Sequence, residues 1–91
     1  MAIAENAEAV SLLHDLEDGH GEGVARANLA ESLREVGLLD DATAAARSAI
    51  AIFEDLGDDT SAAQARRILA NITQDQNKRT TNLNLDNDPH H

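Results

Sequence analysis

The stretch from Asn28 to Ile50 reads NLAESLREVGLLDDATAAARSAI. Leu29, Leu33 and Val36 recur at helical spacing, and Gly37 follows them where a left-handed helix C-terminus takes a glycine. Beyond it Ala42, Ala46, Ala49, Ile50 and Phe53 recur at the same spacing, with Asp40 or Asp41 placed to cap a new helix. The stretch therefore predicts two helices meeting at a tight turn. Alanines stand where an ordinary bundle would carry large side chains, and alanine at a crossing lets two helix axes approach to about 8 Å.

The rest of the chain repeats this hairpin. With a shift of 40, residues 2–35 and 42–75 are identical at Ala2/Ala42, Ala4/Ala44, Ala9/Ala49, Asp15/Asp55, Leu16/Leu56, Asp18/Asp58, Ala25/Ala65, Arg26/Arg66, Leu29/Leu69 and Ala30/Ala70. Val10/Ile50, Leu12/Ile52 and Leu13/Phe53 are conservative pairs besides. The first helix is thus a copy of the third and the second a copy of the fourth. Glycines punctuate the segments: Gly19, Gly21 and Gly23 as a group expected to form an inter-repeat turn, then Gly37, then Gly57. Asp58, Asp59, Thr60 or Ser61 can cap the fourth helix. The expected fold is all-α, with four antiparallel helices forming two staggered hairpins of a short α-solenoid.

The same stretch resembles a tetratricopeptide repeat. Leu29 and Ala30 stand early in helix A, Leu33 three positions on, Gly37 near its end and Leu39 two further, while Ala42, Ala46 and Ala49 mark helix B. Ala46 occupies a place that is usually aromatic, and Glu54 one that is usually proline. The 40-residue period and the Leu56-Gly57-Asp58 link are similar to the long-helix subclass of kinesin light chains and bacterial transcriptional regulators. The resemblance covers residues 2–77. It implies stacked hairpins whose A helices line a groove for a peptide or partner helix. On that reading the groove candidates are Asn28, Glu31, Arg34, Arg66, Arg67, Asn71 and Gln74. In long-repeat relatives an Asn before the helix A Leu often bonds the peptide backbone, and Asn28 matches that position.

Domain organisation follows the composition. Residues 1–77 form the repeat domain. Residues 78–91 are poor in apolar side chains and are expected to be a disordered polar tail, with His90 and His91 read as a tag remnant. Pro89 is the only proline.

Composition excludes several function classes. The 91 residues carry 7 Lys and Arg against 17 Asp and Glu, a net charge of −10, which argues against nucleic acid and anionic membrane as partners. There is no cysteine for a disulfide, thiolate zinc site or cysteine nucleophile. Phe53 is the single aromatic residue. No apolar run spans a bilayer and no signal-peptide pattern follows Met1, so a cytoplasmic protein is expected. His14, Asp15, Glu17, Asp18, His20 and Glu22 are dense in potential ligands. His14 and His20 face different sides of a helix, however, so no metal site is expected. Gly19–Gly23 lacks the Lys-Ser/Thr of a phosphate-binding loop. No serine sits in a nucleophile context. The leading function is a non-catalytic protein–protein interaction module without cofactors. A sensing segment of a larger bacterial regulator is the alternative, and a small enzyme is disfavoured. About three repeats are needed for a stable solenoid, so self-association or flanking repeats are expected.

Overall fold

A computed structural model describes residues 2–87 of the chain, with side chains placed through Arg79. It is all-helical over those residues: α1 (Ala2–Asp15), α2 (Gly19–Glu35), α3 (Leu39–Asp55) and α4 (Asp59–Asn87). Each helix packs against the next, α2 also meets α4, and α1 makes no such contact with α3 or α4. A closed bundle would bring the first and last helices together; here the hairpins stack sideways into a slab of 56 × 28 × 13 Å.

The three turns share one geometry and recur every 20 residues. At the first, the Asp18 amide donates to the Leu13 carbonyl and the Glu17 amide to that of His14; the second does the same with Leu38 to Leu33 and Gly37 to Arg34, the third with Asp58 to Phe53 and Gly57 to Glu54. This double bond closes a helix on a residue in the left-handed region, which glycine enters at little cost. Gly37 (φ 84°) and Gly57 (φ 71°) fill it at two turns, and Glu17 (φ 58°) at the first.

Capping distinguishes α2 and α4 from α3. The Asp18 carboxylate accepts from the Gly21 amide at 2.9 Å, and that of Asp58 from the Ser61 amide at 3.1 Å. Helix α3 begins after Leu38 with no side-chain cap. Asp40 and Asp41 lie inside its first turn, where carboxylates suit the positive end of the helix dipole but do not cap it.

Two expectations are corrected. Gly19, Gly21 and Gly23 belong to the first turns of α2, not to a linker. Gly23 is needed for packing: a methyl group there would lie 2.7 Å from Phe53 Cε1 and 3.2 Å from Ile52 Cγ2. The glycine lets the ring of α3 rest on the backbone of α2. Helix α4 also runs past residue 77 to Asn87, because nothing before Pro89 interrupts it. His90 and His91 lie outside the described residues.

The core is mostly alanine. One cluster joins Ala30, Leu33, Leu39, Ala42, Ala45, Ala46 and Ile72, and a second joins Ala49, Phe53, Ala62 and Ala65. Small side chains where α2, α3 and α4 meet draw those helices close, so burial is gained by contact density rather than by large residues. Polar links pin the ends: Asn6 Nδ2 donates to Ser32 Oγ at 3.1 Å between α1 and α2, and Arg34 bonds Asp75 at 2.7 Å between α2 and α4.

A side-chain link crosses both the α1–α2 and the α3–α4 turn, built differently in each. In the second hairpin Glu54 pairs directly with Arg66. In the first, His14 stands at the place of Glu54, and the carboxylate comes instead from Glu22, which bonds His14 at 3.0 Å and Arg26 at 2.8 Å. Ala62 holds the place of Glu22 in the second hairpin. The carboxylate has moved onto α2, where its ion pair with Arg26 lies within one helix and its contact with His14 crosses the turn.

These pairs set an acid limit on stability. Hydrogen bonds from His14 and then Arg26 hold the Glu22 carboxyl below its ordinary value of 4.5. The Arg34 guanidinium does the same for Asp75, and Ser61 followed by the His20 contact for Asp58, both below the ordinary 3.8. A carboxylate whose pKa falls on folding stabilises the protein above its unfolded pKa, and that contribution is lost as pH drops through the folded one. The net charge of −10 acts oppositely, because self-repulsion relaxes as pH approaches the isoelectric point near 4.5. The melting temperature is therefore expected to rise from pH 7 to about 5 and to fall below about 4. Added NaCl shortens the Debye length from about 10 Å at 0.1 M to about 3 Å at 1 M, so it should raise the pH 7 value and flatten the rise. Thermal melts by circular dichroism across pH and salt test this, and a salt-independent melting temperature at pH 7 would show that repulsion is not limiting.

Candidate functional site

The A helices α2 and α4 run side by side and leave a groove of about 390 Å³ between them. Its floor is apolar: Ala27 from α2, Ala65 and Ile68 from α4, and Phe53 rising between them from α3. Polar side chains edge it, with Asn28 and Glu31 on α2 and Ser61, Gln64, Arg67 and Asn71 on α4. The α4 residues repeat at steps of three and four, the spacing of one helix face. The α2 residues do so in parallel register, as the repeat requires.

The sequence-derived candidates divide. Asn28, Glu31, Arg67 and Asn71 all line the groove. Asn28 is exposed and Asn71 half-buried. The other three turn elsewhere. Arg34 is held by Asp75 at 2.7 Å, bridging the two A helices. Arg66 pairs with Glu54 of α3 on another side of α4, and Gln74 lies on that side too, beside Thr73 and Asn77. Two guanidinium groups expected at the groove are thus occupied with carboxylates of this chain. Arg67 and Glu31 leave the groove with one charge of each sign.

Sequence reasoning missed Phe53, Ser61 and Gln64 as lining residues. Stepping back from Asn71 by three and four along α4 reaches Ile68, Gln64 and Ser61, so a face count would have found the last two. Phe53 belongs to a B helix, and only the close seating of its ring on Gly23 brings it under the groove.

The chemistry available is hydrogen bonding and apolar contact. Three amide side chains can each donate and accept, which suits a peptide backbone. The nearest approach to a catalytic set is elsewhere: His20 Nε2 lies 3.2 Å from Asp58 Oδ2, and Asp58 also accepts from Ser61. Nucleophilic catalysis needs the histidine between serine and acid. Here the acid is in the middle, and its position is that of the α4 cap. The His20 ring instead lies against Phe53, with centroids 5.7 Å apart. Among the described residues no group of three or more histidine and carboxylate side chains is placed to hold a metal ion, and no helix is long and apolar enough to cross a membrane. No family model, no curated protein and no solved structure matches this chain.

Proposed function

We propose that the protein is a non-catalytic interaction module of the tetratricopeptide-repeat kind, whose A-helix groove takes a short extended peptide segment. The supporting observation is the lining of that groove: amides of Asn28, Gln64 and Asn71 around a floor of Ala27, Phe53, Ala65 and Ile68. An extended segment offers what that lining can satisfy, with backbone amides for the rim and one modest apolar side chain for the floor. With Arg34 and Arg66 engaged in ion pairs, a strongly acidic segment finds only Arg67. The preferred partner is a polar, near-neutral sequence carrying a single aliphatic residue, with at most one carboxylate toward Arg67.

Only two A helices contribute, so affinity should be weak, in the micromolar range or poorer. Selection from a library of short extended peptides should enrich such sequences. The side-chain amide signals of Asn28 and Asn71 should shift when a selected peptide is added to isotope-labelled protein. Asn28→Ala should weaken binding by about 1 kcal/mol or more, the worth of a lost hydrogen bond, without moving the melting temperature. Equal binding by Asn28→Ala and by a groove-blocking variant at an exposed rim position, Gln64→Trp, would remove the groove from the function.

A further inference from the structure

We infer that copies of this chain associate head to tail, with α1 of one copy seated on the outer face of α4 of another. The intramolecular contact between α2 and α3 provides the template. There the antiparallel register sets Gly19 against Leu56 and Gly23 against Ile52 and Phe53. Ala27 packs on the cluster that holds Ala49, and Ala30 shares a cluster with Ala45, so the same register continued one helical turn places Ala27 opposite Ser48. Since α4 repeats α2 and α1 repeats α3, each position has a counterpart 40 residues away. The α4 face becomes Asp59, Ala63, Arg67 and Ala70, and the α1 face becomes Leu16, Leu12, Glu8 and Glu5.

Both faces are uncovered. Leu12 and Leu16 are 60% and 65% exposed; the counterpart of Leu12, Ile52, is half-buried against Gly23 of α2, and that of Leu16, Leu56, stays 52% exposed beside Gly19. Ala70 is exposed, although Ala30 in the same place is fully buried.

The replacements between the two sets of positions are complementary. Gly23 and Phe53, a glycine under a ring, become Ala63 and Leu13, a methyl group facing a smaller side chain. Ala27 and Ser48, both small and neutral, become Arg67, on the rim that the groove shares with this face, and Glu8, a cation facing a carboxylate. Charge follows the same division. Helix α1 carries Glu5, Glu8 and Asp15 with no lysine or arginine, whereas α4 carries Arg66, Arg67, Lys78 and Arg79 against Asp59, Asp75 and Asp86. In a protein of net charge −10 this leaves α1 at −3 and α4, with four basic against three acidic residues, at +1. A second copy therefore offers the α4 face both the shape and the charge it matches. Such a contact is heterologous, so each added copy leaves one α1 face and one α4 face open.

The test uses two exposed positions, whose substitution leaves the fold intact: Leu12→Asp spoils the α1 face and Ala70→Glu the α4 face. In sedimentation velocity the unaltered chain should form a concentration-dependent series of oligomers, and each variant alone should be a monomer. An equimolar mixture of the two variants should give a 1:1 dimer and nothing larger, because only the α1 face of the Ala70→Glu chain and the α4 face of the Leu12→Asp chain remain intact. A monomeric unaltered chain overturns the inference. So does association of either variant alone, or a mixture that stays monomeric while the unaltered chain associates. Peptide binding in the α2–α4 groove should persist in the monomeric variants, so loss of assembly is distinguishable from failure of the groove.

Discussion

Phe53→Ala is expected to destabilise the fold by about 3–5 kcal/mol, the usual cost of emptying a buried aromatic site. In a small domain whose stability sits toward the low end of about 5–15 kcal/mol, that loss leaves a large unfolded fraction. The ring is 2% exposed and joins the second core cluster of Ala49, Ala62 and Ala65. It also underlies the groove. Ala49, Ala62, Ala65 and Gly23, which pack around the ring, are too small to refill the space.

The same contact permits a sharper experiment. Gly23→Ala would gain roughly 1 kcal/mol of helix propensity at an exposed site. Here the new methyl group would fall 2.7 Å and 2.8 Å from the ring carbons, so the substitution should cost about 1–3 kcal/mol instead. Shrinking the ring first removes the conflict. With Phe53→Leu in the background, Gly23→Ala should be neutral or stabilising, giving a coupling of about 1 kcal/mol or more in a double-mutant cycle followed by urea denaturation. Additive effects would mean that ring and glycine do not touch in solution.

Much of the fold was legible because the chain states it twice. The 40-residue repeat fixes which helices correspond, and Gly37 and Gly57 mark two of the three turns directly. The first turn was hidden because Glu17 takes the left-handed position without being glycine. The attention drawn by Gly19, Gly21 and Gly23 then moved the expected linker several residues downstream. Those glycines answer to tertiary contact: the reason for Gly23 is Phe53, which lies in another helix. The start of α3 was misjudged for a related reason, since Leu38 occupies the cap position with no side-chain bond of its own. At the groove, Asn28, Glu31, Arg67 and Asn71, named from the repeat resemblance, all line the space between α2 and α4. The resemblance could not decide the fate of Arg34 and Arg66, because their carboxylates, Asp75 and Glu54, come from other helices. A long, flexible guanidinium goes to the nearest carboxylate that the packing presents, and sequence spacing alone does not contain that neighbour.

Ala46→Leu is expected to cost about 1–3 kcal/mol, and Ala46→Phe more, although position 46 is where the resembling family usually carries an aromatic residue. Ala46 is fully buried in the cluster that contains Ala30, Ala42, Ala45 and the equally buried Ile72. A larger side chain at that seam must push α3 away from its neighbours, and the alanines along it would each lose contact. The space that an aromatic would fill is already taken by helix approach and by Ile72. Relief should therefore come from that residue: Ile72→Ala alone should cost about 2–5 kcal/mol, but the pair Ala46→Leu with Ile72→Ala conserves volume and should cost less than the sum of the singles. Urea midpoints at unchanged slope measure each difference. If Ala46→Phe were tolerated without compensation, the helices would have the wider spacing that an aromatic at this position requires, and close alanine packing would not be the source of this chain's stability.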